Sequence, residues 1–107
     1  GKKILLEYFD QNENYGSYLP RTGIIEKQLS SGNVDNWFLM KLDTPFTYEG
    51  VNNKKLLIRS RWEGVEISDE KDVSVFIVQI PNQNAIKNNH VEIEPENLVA
   101  WGTVNLS

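Results

Sequence analysis

The side chains able to do chemistry are unevenly supplied in this sequence. It holds 15 Asp and Glu, one histidine (His90) and no cysteine. Without Cys there is no disulfide, thiolate nucleophile, Cys-ligated zinc or iron–sulfur cluster, and nothing here implies a metal or cofactor. No Gly-x-Ser-x-Gly elbow accompanies His90, which sits in a polar stretch and reads as a solvated side chain. Gly16, Gly23, Gly32, Gly50, Gly64 and Gly102 are isolated, so no phosphate-cradling loop is written here.

The carboxylates fall into two groups. Glu63, Glu66, Asp69, Glu70 and Asp72 crowd one region without the alternating donors and central Gly of a calcium loop. Glu92, Glu94 and Glu96 recur at period two, which on an extended backbone puts all three on one face, opposite Val91 and Ile93. Such a row would welcome a cation or a basic partner. It serves equally as a hydrated face that discourages edge pairing. A hydrolase built on paired carboxylates is the enzymatic alternative.

Arg59 and Arg61, with Lys55, make a cationic row opposite Leu56 and Ile58. Guanidinium forks grip carboxylates and phosphates; the structural alternative is cross-strand pairing with an acid such as Glu26. Tyr15, Tyr18, Phe46 and Tyr48 lie between the predicted strands. Aromatics so placed can line a groove for an extended peptide or fill a barrel end as satellite core. Trp62 and Trp101 are read as plugs of the barrel ends.

The elements that must position these groups are strands. Alanine, the best helix former, occurs only at Ala85 and Ala100, while Val, Ile, Thr and aromatics are plentiful. The many asparagines suit turns. Residues 3–9, 22–29, 36–42, 54–62, 73–80 and 98–104 read as strands, the second and third as a hairpin. Over 36–42 the alternation sets Phe38, Met40 and Leu42 against Trp37, Leu39 and Lys41. Asp43-Thr44-Pro45 is read as a break, Gly64 as a bulge or bend, and Ser68–Asp72 as a charged turn. Val73–Ile80 is apolar enough for a strand covered on both faces. Residues 81–96 form a long, polar, Asn-rich connection of the kind that is functional or mobile.

These elements fit one domain spanning residues 1–107, with Gly1 read as a tag-cleavage scar. The apolar fraction of 39% and charged fraction of 24% are those of a folded domain rather than a disordered one. The expected fold is all-β: a small, strongly curved antiparallel barrel of five or six strands, SH3-like or OB-like, with a small β-sandwich as the alternative. No apolar run is long enough to span a bilayer, and a cytoplasmic location is expected. The net charge of −4 disfavours a general phosphate-backbone binder. The excess acid, however, sits in 63–72 and 92–96, leaving Lys54, Lys55, Arg59 and Arg61 as a local basic strand. The function expected is a non-catalytic module binding a protein or peptide partner through Tyr15, Tyr18, Phe46, Tyr48, Arg59 and Arg61. The alternatives are the carboxylate enzyme and single-stranded nucleic-acid binding on the Arg59/Arg61 strip.

Overall fold

Apolar–polar alternation and β-branched residues draw the chain into six strands: β1 (Lys3–Asp10), β2 (Arg21–Ser31), β3 (Val34–Tyr48), β4 (Val51–Ser60), β5 (Val73–Gln79) and β6 (Leu98–Leu106). A single helical turn, α1 (Glu13–Gly16), joins β1 to β2, and two 3₁₀ turns, Gln83–Ala85 and Pro95–Asn97, lie in the β5–β6 connection. This computed structural model describes residues 2–67 and 72–106, so most of the charged turn read over Ser68–Asp72, including Asp69 and Glu70, lies outside the described residues.

Each strand pairs antiparallel with its neighbours in the chain, and β6 returns to pair with β1. The result is a closed six-stranded antiparallel barrel, as the sequence led us to expect, rather than two stacked sheets. Its connectivity is up-and-down, unlike the Greek key of an OB-fold. No helix among the described residues is long and apolar enough to cross a membrane.

Closure of so few strands demands tight curvature, and two glycines permit it. A Cβ on Gly102 would lie 2.6 Å from the Glu7 carbonyl oxygen, and one on Gly23 would strike the Lys41 carbonyl oxygen. Backbones therefore pack where side chains normally would, at the β1–β6 and β2–β3 seams.

The interior is filled by Ile4, Leu6, Met40, Leu42, Leu56, Ile58, Val75, Ile77 and Val104, all buried. Met40 and Leu42 point inward and Leu39 outward, as the alternation over 36–42 requires. Outside the wall lies a second apolar cluster: Leu29, Leu39, Leu57 and Val78 are covered by Ile80 and Val91, with Ile86 and Ile93 beside them. The 80–97 segment is thus a strap that buries this part of the outer wall. Coverage of both faces of β5 holds for Val78 but not for Ser74 and Phe76, which stay half-buried.

Several strand ends differ from the sequence reading, and two of the differences have a specific physical reason. β3 does not break at Asp43-Thr44-Pro45 but runs on to Tyr48, its register shifting between Lys41 and Phe46. Pro45 falls inside that shift, where no ladder donor is required of it. β4, in contrast, stops at Ser60 rather than Trp62. The Ser60 hydroxyl accepts from Trp62 N–H at 3.2 Å and donates to the Trp62 carbonyl at 3.1 Å, which turns the chain out of the ladder.

Candidate functional site

The four aromatics expected between strands do come together, at one end of the barrel. The Tyr15 ring packs edge-on against Phe46 (5.6 Å) and Tyr48 (5.0 Å), and Tyr18 stacks on Phe46 at 5.0 Å. Tyr15 is held there by α1, whose cap Asn12 accepts from Tyr15 N–H at 3.2 Å. The Asn12 amide also donates to the Tyr48 hydroxyl (2.8 Å) and the Val99 carbonyl (3.1 Å). Asn12 adopts a left-handed backbone (φ 77°), which Asn tolerates better than most residues. Tyr15 has no exposed surface, and Phe46 and Tyr48 are buried with it; only Tyr18 stays accessible, at 37%. The three buried rings belong to the same apolar cluster as Ile4, Leu6 and Met40, so their area is given to the core. The Tyr15 hydroxyl is buried without a hydrogen-bond partner among the described residues, and burial raises its pKa above the ordinary phenol value.

The two arginines lie elsewhere, on the outer wall formed by β3 to β6. Arg59 on β4 stands directly opposite Phe76 on β5, which stands opposite Trp101 on β6. Arg61 reaches the same rung: its guanidinium carbon lies 3.7 Å from the Trp101 ring centre and 5.2 Å from that of Trp62. Its Nη1 donates to the Ser74 hydroxyl at 3.3 Å. Arg59 lies 6.0 Å from the Trp37 ring centre, and its Nε donates to the Asn36 side-chain oxygen at 2.8 Å. Pairing with Glu26, expected for this row, is made by Lys55 instead, at 2.7 Å.

The reading of Trp62 and Trp101 as barrel plugs is corrected by this geometry. Because Ser60 ends β4, Trp62 does not continue its inward face and stands 57% exposed. Trp101 belongs to the outward set of β6, between buried Ala100 and Gly102.

Beside the rung lies a groove of about 270 Å³, walled by Trp37, Arg59 and Phe76 on one side and by Ile93, Pro95 and Leu98 on the other. Val78 and Ile93 also border a second cavity of about 170 Å³ between the wall and the strap. No protein-family model, curated protein or solved structure matches this chain.

The site therefore rests on its own geometry. It offers flat aromatic surface, two planar cations and an apolar cleft, which suits binding. Trp37, Phe76 and Leu98 were missed as site residues because a strand pattern gives the face but not which faces gather around one cleft. The outward phase of Trp37 was the available signal.

The acids stand apart from one another. Glu63, Glu66, Glu92, Glu94 and Glu96 are all exposed, and Glu94 lines the groove near Arg59. Among the described residues, no group of three His, Asp or Glu is placed to hold a metal ion.

His90 is more engaged than its polar surroundings indicate. Its Nδ1 lies 2.8 Å from the Ser30 hydroxyl and its Nε2 3.1 Å from a Glu92 carboxylate oxygen. Ser30 N–H donates to the Asn89 carbonyl and Val91 N–H to the Ser30 carbonyl, so the nearby backbone donors are spent on docking the strap. With Asn88 and Asn89 left-handed in a two-residue turn, this is a clasp tying the strap to the end of β2.

Proposed function

We propose that this protein is a non-catalytic interaction module that receives a protein or peptide partner on its outer wall, at Arg59, Arg61, Trp37, Phe76, Trp62 and Trp101. The reading is carried by the rung Arg59–Phe76–Trp101 with Arg61 laid on Trp101, next to an open apolar groove. Trp and Arg dominate the binding energy of protein interfaces. Here they are assembled on the outer face of the sheet, none fully buried, with Trp37 resting on the edge of the second apolar cluster. β4 and β5 are paired on both sides, so this wall has no free edge to accept an added strand. Recognition would therefore run through side chains and the groove rather than through backbone pairing. Of the aromatics between strands, Tyr18 alone keeps open surface for a partner; Tyr15, Phe46 and Tyr48 support the barrel end.

All three tryptophans lie on this wall, so intrinsic fluorescence reports on its occupancy. Selection from a random peptide-display library should enrich sequences that shift tryptophan emission and fail to bind a Trp62→Ala/Arg61→Ala protein of unchanged circular dichroism. Enrichment no greater on the wild type than on that double variant overturns the proposal.

A further inference from the structure

Resting on that binding reading, we infer that the partner presents an acidic segment: two carboxylates for Arg59 and Arg61, followed by an apolar side chain for the groove. The observation behind it is a pair of cations with no ion-pair partner among the described residues. Among the described residues the Lys and Arg ion pairs are Lys3–Asp43 and Lys55–Glu26, and neither Arg59 nor Arg61 takes part in one. Each guanidinium is instead held by a neutral group, Asn36 for Arg59 and Ser74 for Arg61. Each also lies near an indole, Trp37 for Arg59 and Trp101 for Arg61.

A guanidinium has five N–H donors. The contact with Asn36 uses Nε of Arg59, and the contact with Ser74 uses Nη1 of Arg61, so most of each fork is uncommitted. Stacking fixes the plane of a fork without consuming its donors, which prepares it for a bidentate carboxylate.

The spacing is informative as well. The two guanidinium groups lie towards different ends of one rung, Arg59 near Trp37 on β3 and Arg61 against Trp101 on β6. A short acidic peptide laid across the strands would bring one carboxylate to each. The groove lies beside Arg59, with Trp37, Phe76, Ile93, Pro95 and Leu98 around it. An apolar residue following the acid that meets Arg59 would enter it.

Phosphates could also satisfy guanidinium forks, but the setting favours a short acidic peptide over a polynucleotide. Polyanion affinity grows with the number of cations released against it. The rung beside the groove offers two, with Glu94 on the groove rim and a net charge of −4 on the chain.

The test starts from the peptides enriched by the display selection. They should carry two Asp or Glu followed by an apolar residue. A synthetic copy should bind, by fluorescence anisotropy, roughly tenfold or more tightly than its Asn/Gln isostere, as expected for charge-assisted contacts. Arg59→Gln/Arg61→Gln should erase that difference, and Arg59→Lys/Arg61→Lys, which keeps the charge but not the fork, should retain only part of it. Enriched peptides that lack acids, or isosteres that bind equally while still depending on Trp62, overturn the acidic partner and leave the binding module standing. An empty selection overturns both. Tighter, arginine-dependent and salt-sensitive binding of oligothymidylate overturns the inference in favour of nucleic acid.

Discussion

Arg61 lies against Trp101, its guanidinium carbon 3.7 Å from the indole ring centre, at the outer end of a rung that begins with Arg59. A contact this close fixes the direction of a long side chain, and at a half-exposed site it is worth only about 0.5–1 kcal/mol. Stability and binding should therefore separate. Arg61→Ala is expected to lower the unfolding free energy in urea by less than about 1 kcal/mol while altering tryptophan emission and removing peptide binding. A loss of several kcal/mol would make Arg61 part of the framework rather than of the surface.

Asn12 does three jobs at once, capping α1 through Tyr15 N–H, donating to the Tyr48 hydroxyl and donating to the Val99 carbonyl. It also holds a left-handed backbone that alanine adopts poorly. Asn12→Ala should cost about 2 kcal/mol, more than a simple cap, and should disturb the near-ultraviolet signal of the Tyr15–Tyr48 cluster. Asn12→Gly, which accepts the backbone but removes the amide, isolates the side-chain contribution. Equal stability of wild type and both variants would remove Asn12 from this role.

Tyr15 gives the chain an alkaline weakness. Its pKa in the folded state is raised by burial above the phenol's ordinary value, so the folded protein keeps a proton that the unfolded chain releases. Stability is thus fully present below about pH 10, the unfolded phenol's value, and falls as pH rises beyond it. Tyr15→Phe removes both this dependence and a buried hydroxyl that has no hydrogen-bond partner among the described residues. The variant should be about 1 kcal/mol more stable near neutrality, with a flatter stability curve at alkaline pH. Unchanged alkaline unfolding would assign the dependence to another group.

The six strands and the closed barrel were legible because the residues carry their own period. Met40 and Leu42 against Leu39 show the alternation directly. What failed were stops and neighbours. Ser60 hydrogen-bonds the backbone of Trp62 and ends β4, an event no hydrophobic pattern records, and Trp62 consequently points outward. Pro45 looks like a breaker but sits where the ladder is already irregular. The aromatic cluster of Tyr15, Tyr18, Phe46 and Tyr48 was found as a set, yet the sequence left open whether it forms a groove or a core. Three-dimensional closure settles that, because α1 drops Tyr15 into the barrel mouth. The rung from Arg59 through Phe76 to Trp101 depends on the register of three strands, which residue types alone do not specify.

Curvature makes a sharper demand at Gly102. It pairs with Tyr8 on one side and Val75 on the other, and a Cβ there would meet the Glu7 carbonyl oxygen at 2.6 Å and Ile77 Cδ1 at 2.9 Å. The backbone atom cannot yield without opening the β1–β6 seam. Gly102→Ala should therefore destabilise the barrel by about 1–3 kcal/mol, as overpacking does. Gly32→Ala is the useful contrast, since no atom lies within 4 Å of a Cβ there and the cost comes only from its φ of +58°. Amide exchange along β1 and β6 should accelerate in Gly102→Ala alone.

The strap offers the last test, because it covers the second apolar cluster and supplies Ile93 and Pro95 to the groove. Its clasp is the chain Ser30–His90–Glu92, set between the paired backbones of Ser30 and Asn89–Val91. Removing the imidazole leaves those backbone bonds in place but takes away the side chain that holds the strap's turn against β2. His90→Ala should lower global stability by only about 1 kcal/mol. Hydrogen exchange at Val91 and Ser30 should quicken well beyond that of the barrel strands, as local opening of the strap. Any partner that uses the Ile93–Pro95 wall should then bind more weakly, with the loss appearing as faster dissociation. If exchange at Val91 is unchanged in His90→Ala, Ile80, Ile86 and Val91 hold the strap by packing alone and the clasp is dispensable.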